Sequence, residues 1–119
     1  MEVTPKDIKN YQTDEGQEPF KEWFSHLKDN KAKVAITKRL ERVELGNLGF
    51  CNKVGEGVLE LKVDIGPGYR VYLGQDGRVL VILLCGGDKH RQNENIALAK
   101  EYWADYKLRK QEGEKRHGS

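Results

Sequence analysis

The sequence is short of the residues that cross-link a chain or anchor it in a membrane. It has two cysteines, Cys51 and Cys85, and three scattered histidines, His26, His90 and His117. Two cysteines make no disulfide framework of the kind that staples small secreted domains. Together with those histidines they lack the spacing of a zinc site. The longest apolar run, Val79 to Cys85, is far below the ~20 residues a membrane helix needs. Met1 to Glu18 is polar and contains Pro5, unlike a signal peptide. These absences lead to the expectation of a reduced, cytoplasmic protein with no metal, no cofactor and no membrane partner.

An excess of either charge is missing too. The chain has 21 Lys+Arg against 19 Asp+Glu in 119 residues, so any attraction to nucleic acid depends on where the cations cluster. The length suits one domain with a single core.

What is present is periodicity. Asp7 to Thr13 reads as a short strand. Asp14 to Pro19 is a turn into a helix, with Pro19 suited to the first turn. Phe20, Trp23, Phe24 and Leu27 then fall on one helical face. Asp29-Asn30 ends that helix, and a second is predicted over about Lys31 to Leu45, with Ile36, Leu40 and Val43 inward. Residues 31–45 hold five basic side chains against two acidic ones. Lys38, Arg39 and Arg42 on the basic face are candidate RNA contacts. Two helices with so short a joint suggest an antiparallel hairpin. A glycine-rich loop to Gly57 follows.

The period then drops to two. Leu59, Leu61, Val63 and Ile65 alternate with Glu60, Lys62 and Asp64, the pattern of a half-buried strand. After the turn Gly66-Pro67-Gly68, Tyr69, Val71 and Leu73 alternate with Arg70 and Tyr72, and Gln75-Asp76-Gly77 reads as a hairpin turn. Val79 to Cys85 is apolar on both faces, an interior strand covered on both sides. A last helix is predicted over about Gln92 to Lys110, burying Ile96, Ala99, Trp103 and Tyr106. Gln111 to Ser119 is polar and reads as a disordered tail to a single domain over residues 1–110. The order is strand-helix-helix-strand-strand-strand-helix. It implies an α+β fold with a helical hairpin packed on a small, mainly antiparallel sheet.

The chemistry gathers on the polar phase of that sheet. Lys62 and Arg70 fall on adjacent strands within cross-strand reach, and Glu60 could join them in a surface ion pair worth little. The stretch "CGGDKHRQ", residues 85–92, adds more cations. Gly86-Gly87 is expected to let the backbone leave the strand, delivering Lys89, His90, Arg91 and Gln92 beside a helix start that favours anions. A plainer reading has Asp88 cap the helix and the basic residues fill its exposed first turn.

Residues 58–103, "VLELKVDIGPGYRVYLGQDGRVLVILLCGGDKHRQNENIALAKEYW", resemble the RelE/ParE toxin superfamily. They are nearest the addiction-module killer branch related to HigB toxins; "FKEWFSHLKD" and "RLERVELGNLG" upstream match the same branch. The resemblance implies a RelE-like fold and the toxin of a type II toxin–antitoxin pair. Its partner would be an antitoxin of the helix-turn-helix DNA-binding kind, through which alone the pair would reach operator DNA. RelE-like members cut messenger RNA on the ribosome without a metal. ParE-like members inhibit DNA gyrase on nearly the same fold, and a degenerate member would only bind antitoxin, so fold does not choose among them. Carried onto this chain, the endoribonuclease reading makes Lys62 a general base or phosphate contact and Arg70 the phosphate-stabilising arginine. Lys89 and Arg91 match the basic segment after the last strand, Gln92 is a hydrogen-bonding orienter, and His90 stands in as acid for a tyrosine that residues 93–96 lack.

Overall fold

The computed structural model describes residues 4–117 of the chain. The elements run β1 (Asp7–Asn10), α1 (Pro19–His26), α2 (Asn30–Glu44), β2 (Asn52–Gly55), β3 (Val58–Val63), β4 (Tyr69–Asp76), β5 (Leu80–Asp88), a single 3-10 turn (Lys89–Arg91) and α3 (Gln92–His117). The strands form one mixed sheet in the order β1-β5-β4-β3-β2. β1 lies parallel to β5, and the other neighbours are antiparallel. The fold class is α+β, as expected.

Local signals explain most of the elements. Pro19 starts α1 where a missing N–H costs nothing. Asp29 caps α2 by accepting a 3.1 Å hydrogen bond from the Ala32 N–H. β5 is buried from Val81 to Gly87 because α1 and α2 cover one sheet face and α3 the other. The first layer packs Phe20, Ala32, Ile36 and Val43 against Leu61, Val63, Val71, Leu73, Val81 and Leu83. The second packs Ala99 and Trp103 against Val58, Tyr72, Ile82, Leu84 and Cys85. The two helices of the first layer rest on different strands, α1 over β5 and α2 over β3.

Four expectations change. The loop expected up to Gly57 contains β2, which extends the sheet beyond β3 through an irregular register. β4 continues past Leu73 to Asp76, so the hairpin turn is Gly77-Arg78-Val79 and Val79 is exposed. α3 runs through Lys110 to His117, so residues 111–117 extend the helix rather than form an unstructured tail; residues 118 and 119 lie outside the described residues.

The fourth concerns Gly86-Gly87. Both residues stay in β5, paired with Val71 and Arg70, and neither has a positive φ. Their reason is close approach. A Cβ on Gly86 would stand 2.4 Å from the Trp23 ring, and one on Gly87 1.9 Å from the Asn95 side-chain nitrogen. A bulge sets this phase: Tyr72 pairs with Cys85 but Leu73 with Leu83, leaving Leu84 as the additional residue. Leu84 and Cys85 therefore both lie in the α3 layer, and Gly86 is turned towards α1.

Candidate functional site

The sheet register brings the expected cations together. Lys62 of β3, Arg70 of β4 and Gly87 of β5 form one cross-strand row. Lys89 follows β5 by one residue, and its backbone N–H donates to the Gly68 carbonyl at 3.2 Å. Gly68 has φ +85 in the β3–β4 turn, and a Cβ there would lie 3.5 Å from Arg70 Nη1 and 3.8 Å from the Lys89 stem. Glycine thus serves both the turn and the approach of two basic side chains. Among the described residues, Lys62, Lys89 and Arg91 are in no ion pair. All three are exposed, as is His90. Asp88 accepts the His90 N–H at 2.9 Å and so caps the 3-10 turn. That detail matches the plainer reading of this stretch. His90 and Arg91 share the turn with Lys89, but it is Lys89 that the Gly68 contact ties to Arg70.

Beneath the row lies a buried polar network. Glu60 has 1% of its surface exposed. Its phase on β3 is the expected one, but α3 covers that phase, so the pair with Arg70 is not a solvated surface contact. Glu60 accepts hydrogen bonds from the Tyr72 hydroxyl at 2.9 Å, Gln92 Nε2 at 2.9 Å and Asn52 Nδ2 at 3.1 Å. Arg70 Nε stands 3.9 Å from the same carboxylate, with 11% of the side chain exposed. That Nε has no hydrogen-bond partner among the described residues. One carboxylate therefore joins β2, β3, β4 and α3 directly behind the cation row. Gln92, expected as a hydrogen-bonding orienter, donates its Nε2–H to Glu60. Sequence reasoning gave Asn52 and Tyr72 no role; a polar alternation facing an amphipathic helix was the available signal.

Electrostatics explains how the network is sustained. Burial by itself would raise the Glu60 carboxyl pKa, but hydrogen bonds from Asn52, Gln92 and Tyr72, with the Arg70 charge, outweigh it and hold the group below its ordinary value of 4.5. Burial, and next the hydrogen bond to Glu60, push the Tyr72 phenol upward. A carboxylate depressed in the folded state stabilises the fold above its unfolded pKa, and this contribution is lost as pH falls through the folded value. Asp76, held down by hydrogen bonds from Lys110 and Tyr106, acts with the same sign. Melting temperature is accordingly expected to fall as pH drops below about 4.5. Glu60→Gln should show a shallower acid limb than wild type in a pH series of thermal melts. Parallel acid limbs would remove Glu60 from the account.

The basic face of α2 divides. Arg39 Nη2 donates to the Leu48 carbonyl at 2.6 Å and the Phe50 carbonyl at 3.2 Å, so it fastens the loop after α2. Burial, then the neighbouring Arg42 charge, lower its pKa. Arg42 and Lys62 line a groove with Arg39, Asn47, Gly49, Phe50 and Asp64. Lys38 is exposed on α2 and does not line it. Cys51 and Cys85 are free thiols, and burial lifts the Cys85 thiol pKa to about 12, making it inert at neutral pH. No helix among the described residues is long and apolar enough to cross a membrane.

No protein-family model matches the chain. It is 49% identical over 81 residues to an uncharacterized protein of Haemophilus influenzae, an alignment that covers 68% of this chain and 82% of that protein. The chain belongs to the same family as that protein.

Proposed function

We propose that this chain is the toxin of a toxin–antitoxin pair, RelE-like in fold, and that it cuts messenger RNA as a metal-independent endoribonuclease in the cytoplasm. The observation that carries the reading is the placement of Arg70. Its guanidinium is largely buried, is backed by Glu60 at 3.9 Å, stands in register with Lys62 and meets Lys89 across Gly68. Cations fixed in this way suit a phosphate on which charge builds during reaction.

In the proposed reaction the RNA 2′-oxygen attacks the adjacent phosphorus and the bond to the 5′-oxygen breaks. The products are a 2′,3′-cyclic phosphate and a free 5′-hydroxyl. Lys62 takes the 2′ proton or holds a phosphate oxygen, and Arg70 stabilises the pentacoordinate phosphorane. Lys89 and Arg91 hold the strand, and His90 protonates the leaving oxygen. Gln92 and Glu60 act behind this group by fixing Arg70 and the start of α3. The resemblance to HigB-like toxins adds the partner, a helix-turn-helix antitoxin that carries the pair to operator DNA.

The test is to induce wild type and Arg70→Ala in cells and map new 5′ ends across messenger RNA. Wild type should produce cuts within translated regions, and Arg70→Ala should lower cutting by about 100-fold, the usual loss when one transition-state charge contact is removed. Glu60 keeps its three hydrogen bonds in that variant, so a cooperative thermal melt should persist. Growth arrest by wild type without new 5′ ends would sink the RNase reading and favour a toxin that acts by binding, with gyrase as first target to assay.

A further inference from the structure

Phe50 stands out among the exposed apolar residues. It is 79% exposed, in the loop between α2 and β2, at a groove whose other lining residues are polar or glycine: Arg39, Arg42, Asn47, Gly49, Lys62 and Asp64. The loop that carries it is fixed rather than loose, because Arg39 Nη2 holds the carbonyls of Leu48 and of Phe50 itself. Gly49 is specified by this arrangement: it has φ +66, and a Cβ there would stand 2.9 Å from Arg39 Nη2. An aromatic ring is thus presented to solvent on a braced backbone, where apolar burial alone would have drawn it inward.

The charges around the ring are positive on balance, with Arg39, Arg42 and Lys62 against Asp64. Arg42 and Lys62 are in no ion pair among the described residues. Lys62 belongs both to this groove and, through its register with Arg70, to the cation row. Lys62 is therefore the residue shared by the groove and the row. An aromatic platform beside a cationic track is the arrangement that takes single-stranded nucleic acid, because every base has a face to stack and every linkage carries a charge.

We infer that the groove between α2 and β3 binds a single-stranded RNA segment next to the cleavage point, with one base stacked on Phe50 and its phosphates on Arg42 and Lys62. The inference rests on the endoribonuclease reading and names the form of its substrate: an unpaired strand, held on the Lys62 side of Arg70. Arg39 acts here as a positioning residue that holds the platform.

The test uses fluorescence anisotropy with the full chain and a labelled, short single-stranded oligoribonucleotide whose 2′-hydroxyls are replaced by methoxy groups, so that it binds without being cut. Wild type should bind in a salt-dependent way. Phe50→Ala should weaken binding about tenfold, as expected for one lost base stack, with its thermal melt unchanged because the ring is exposed. Phe50→Trp should restore affinity, and Phe50→Leu should not. Arg42→Ala should lower the slope of log affinity against log salt by about one. Wild-type affinity in Phe50→Ala, full rescue by leucine, or equal binding of a duplex of the same sequence would each overturn the inference. Mapping of 5′ ends in cells keeps the two readings separable. If Phe50→Ala binds like wild type while wild type still cuts messenger RNA, the platform is wrong and the RNase reading stands. If wild type neither binds the strand nor cuts, both fall.

Discussion

Glu60→Ala is expected to remove about 4 kcal/mol of folding free energy, in the middle of the range for losing one partner of a buried ionic group. The alanine would leave three donors, on Asn52, Tyr72 and Gln92, without their acceptor. It would also leave the Arg70 cation facing a space where its counter-charge had been. Each orphaned donor costs roughly 1–3 kcal/mol unless water reaches it. Relaxation around the smaller side chain keeps the sum below the arithmetic total. Glu60→Gln preserves the shape and one acceptor oxygen, and should cost about 1–2 kcal/mol by the same reasoning. Urea unfolding gives both numbers, with unchanged m-values as evidence that the comparison is between like states. A loss under about 1 kcal/mol for alanine would mean that solvent enters freely and that Glu60 does not anchor the network.

Gly74→Val should be nearly as damaging, at about 3 kcal/mol or more, because it overfills a closed space. Gly74 is buried in β4 between Val58 and Ile82. An added Cβ would lie 2.5–2.6 Å from three atoms of the Trp103 ring. That ring has little room to retreat. It is 5% exposed, stacks on Tyr106 at 5.2 Å, and has its Nε1 2.8 Å from where a Cβ on Gly57 would sit. Combining Gly74→Ala with Trp103→Leu supplies the control. If the ring is the obstacle, the double variant should be more stable than the two single losses added together. Strict additivity in chemical denaturation would show that the clash is not with Trp103.

Sequence pattern disclosed phase well and cover poorly. Alternation in β3 and β4 placed Glu60, Lys62, Arg70 and Tyr72 on one side of the sheet, and the register agrees. Period two says which residues share a face, however, and is silent on whether a helix lies over that face. The missing information sat in the stripe Ile96, Ala99, Trp103, Tyr106, which had to pack on something and packs there, though Ile96 and Tyr106 are only partly buried. β2 escaped notice because Asn52-Lys53-Val54-Gly55 has weak strand propensity and is stabilised by its neighbour. Gly86-Gly87 was misread for a related reason. Glycine answers equally to a bent backbone and to a crowded one, and local sequence does not distinguish them. Trp23, spaced as a core residue of α1, was the partner that required Gly86.

The placement of β5 has a consequence for the order in which the chain is made. It is the last strand in the sequence, yet it lies between β1 and β4. A nascent chain that ends before β5 can form only the β2–β3–β4 meander; β1 then has no neighbour to pair with, and Lys89 does not yet exist. Such long-range closure waits on synthesis, since pairing residues 7–10 with 80–83 requires both to be present. The row of Lys62 and Arg70 is thus joined by Lys89 only after the final strand and the turn beyond it have been made, so the cluster is one of the last features of the chain to be assembled.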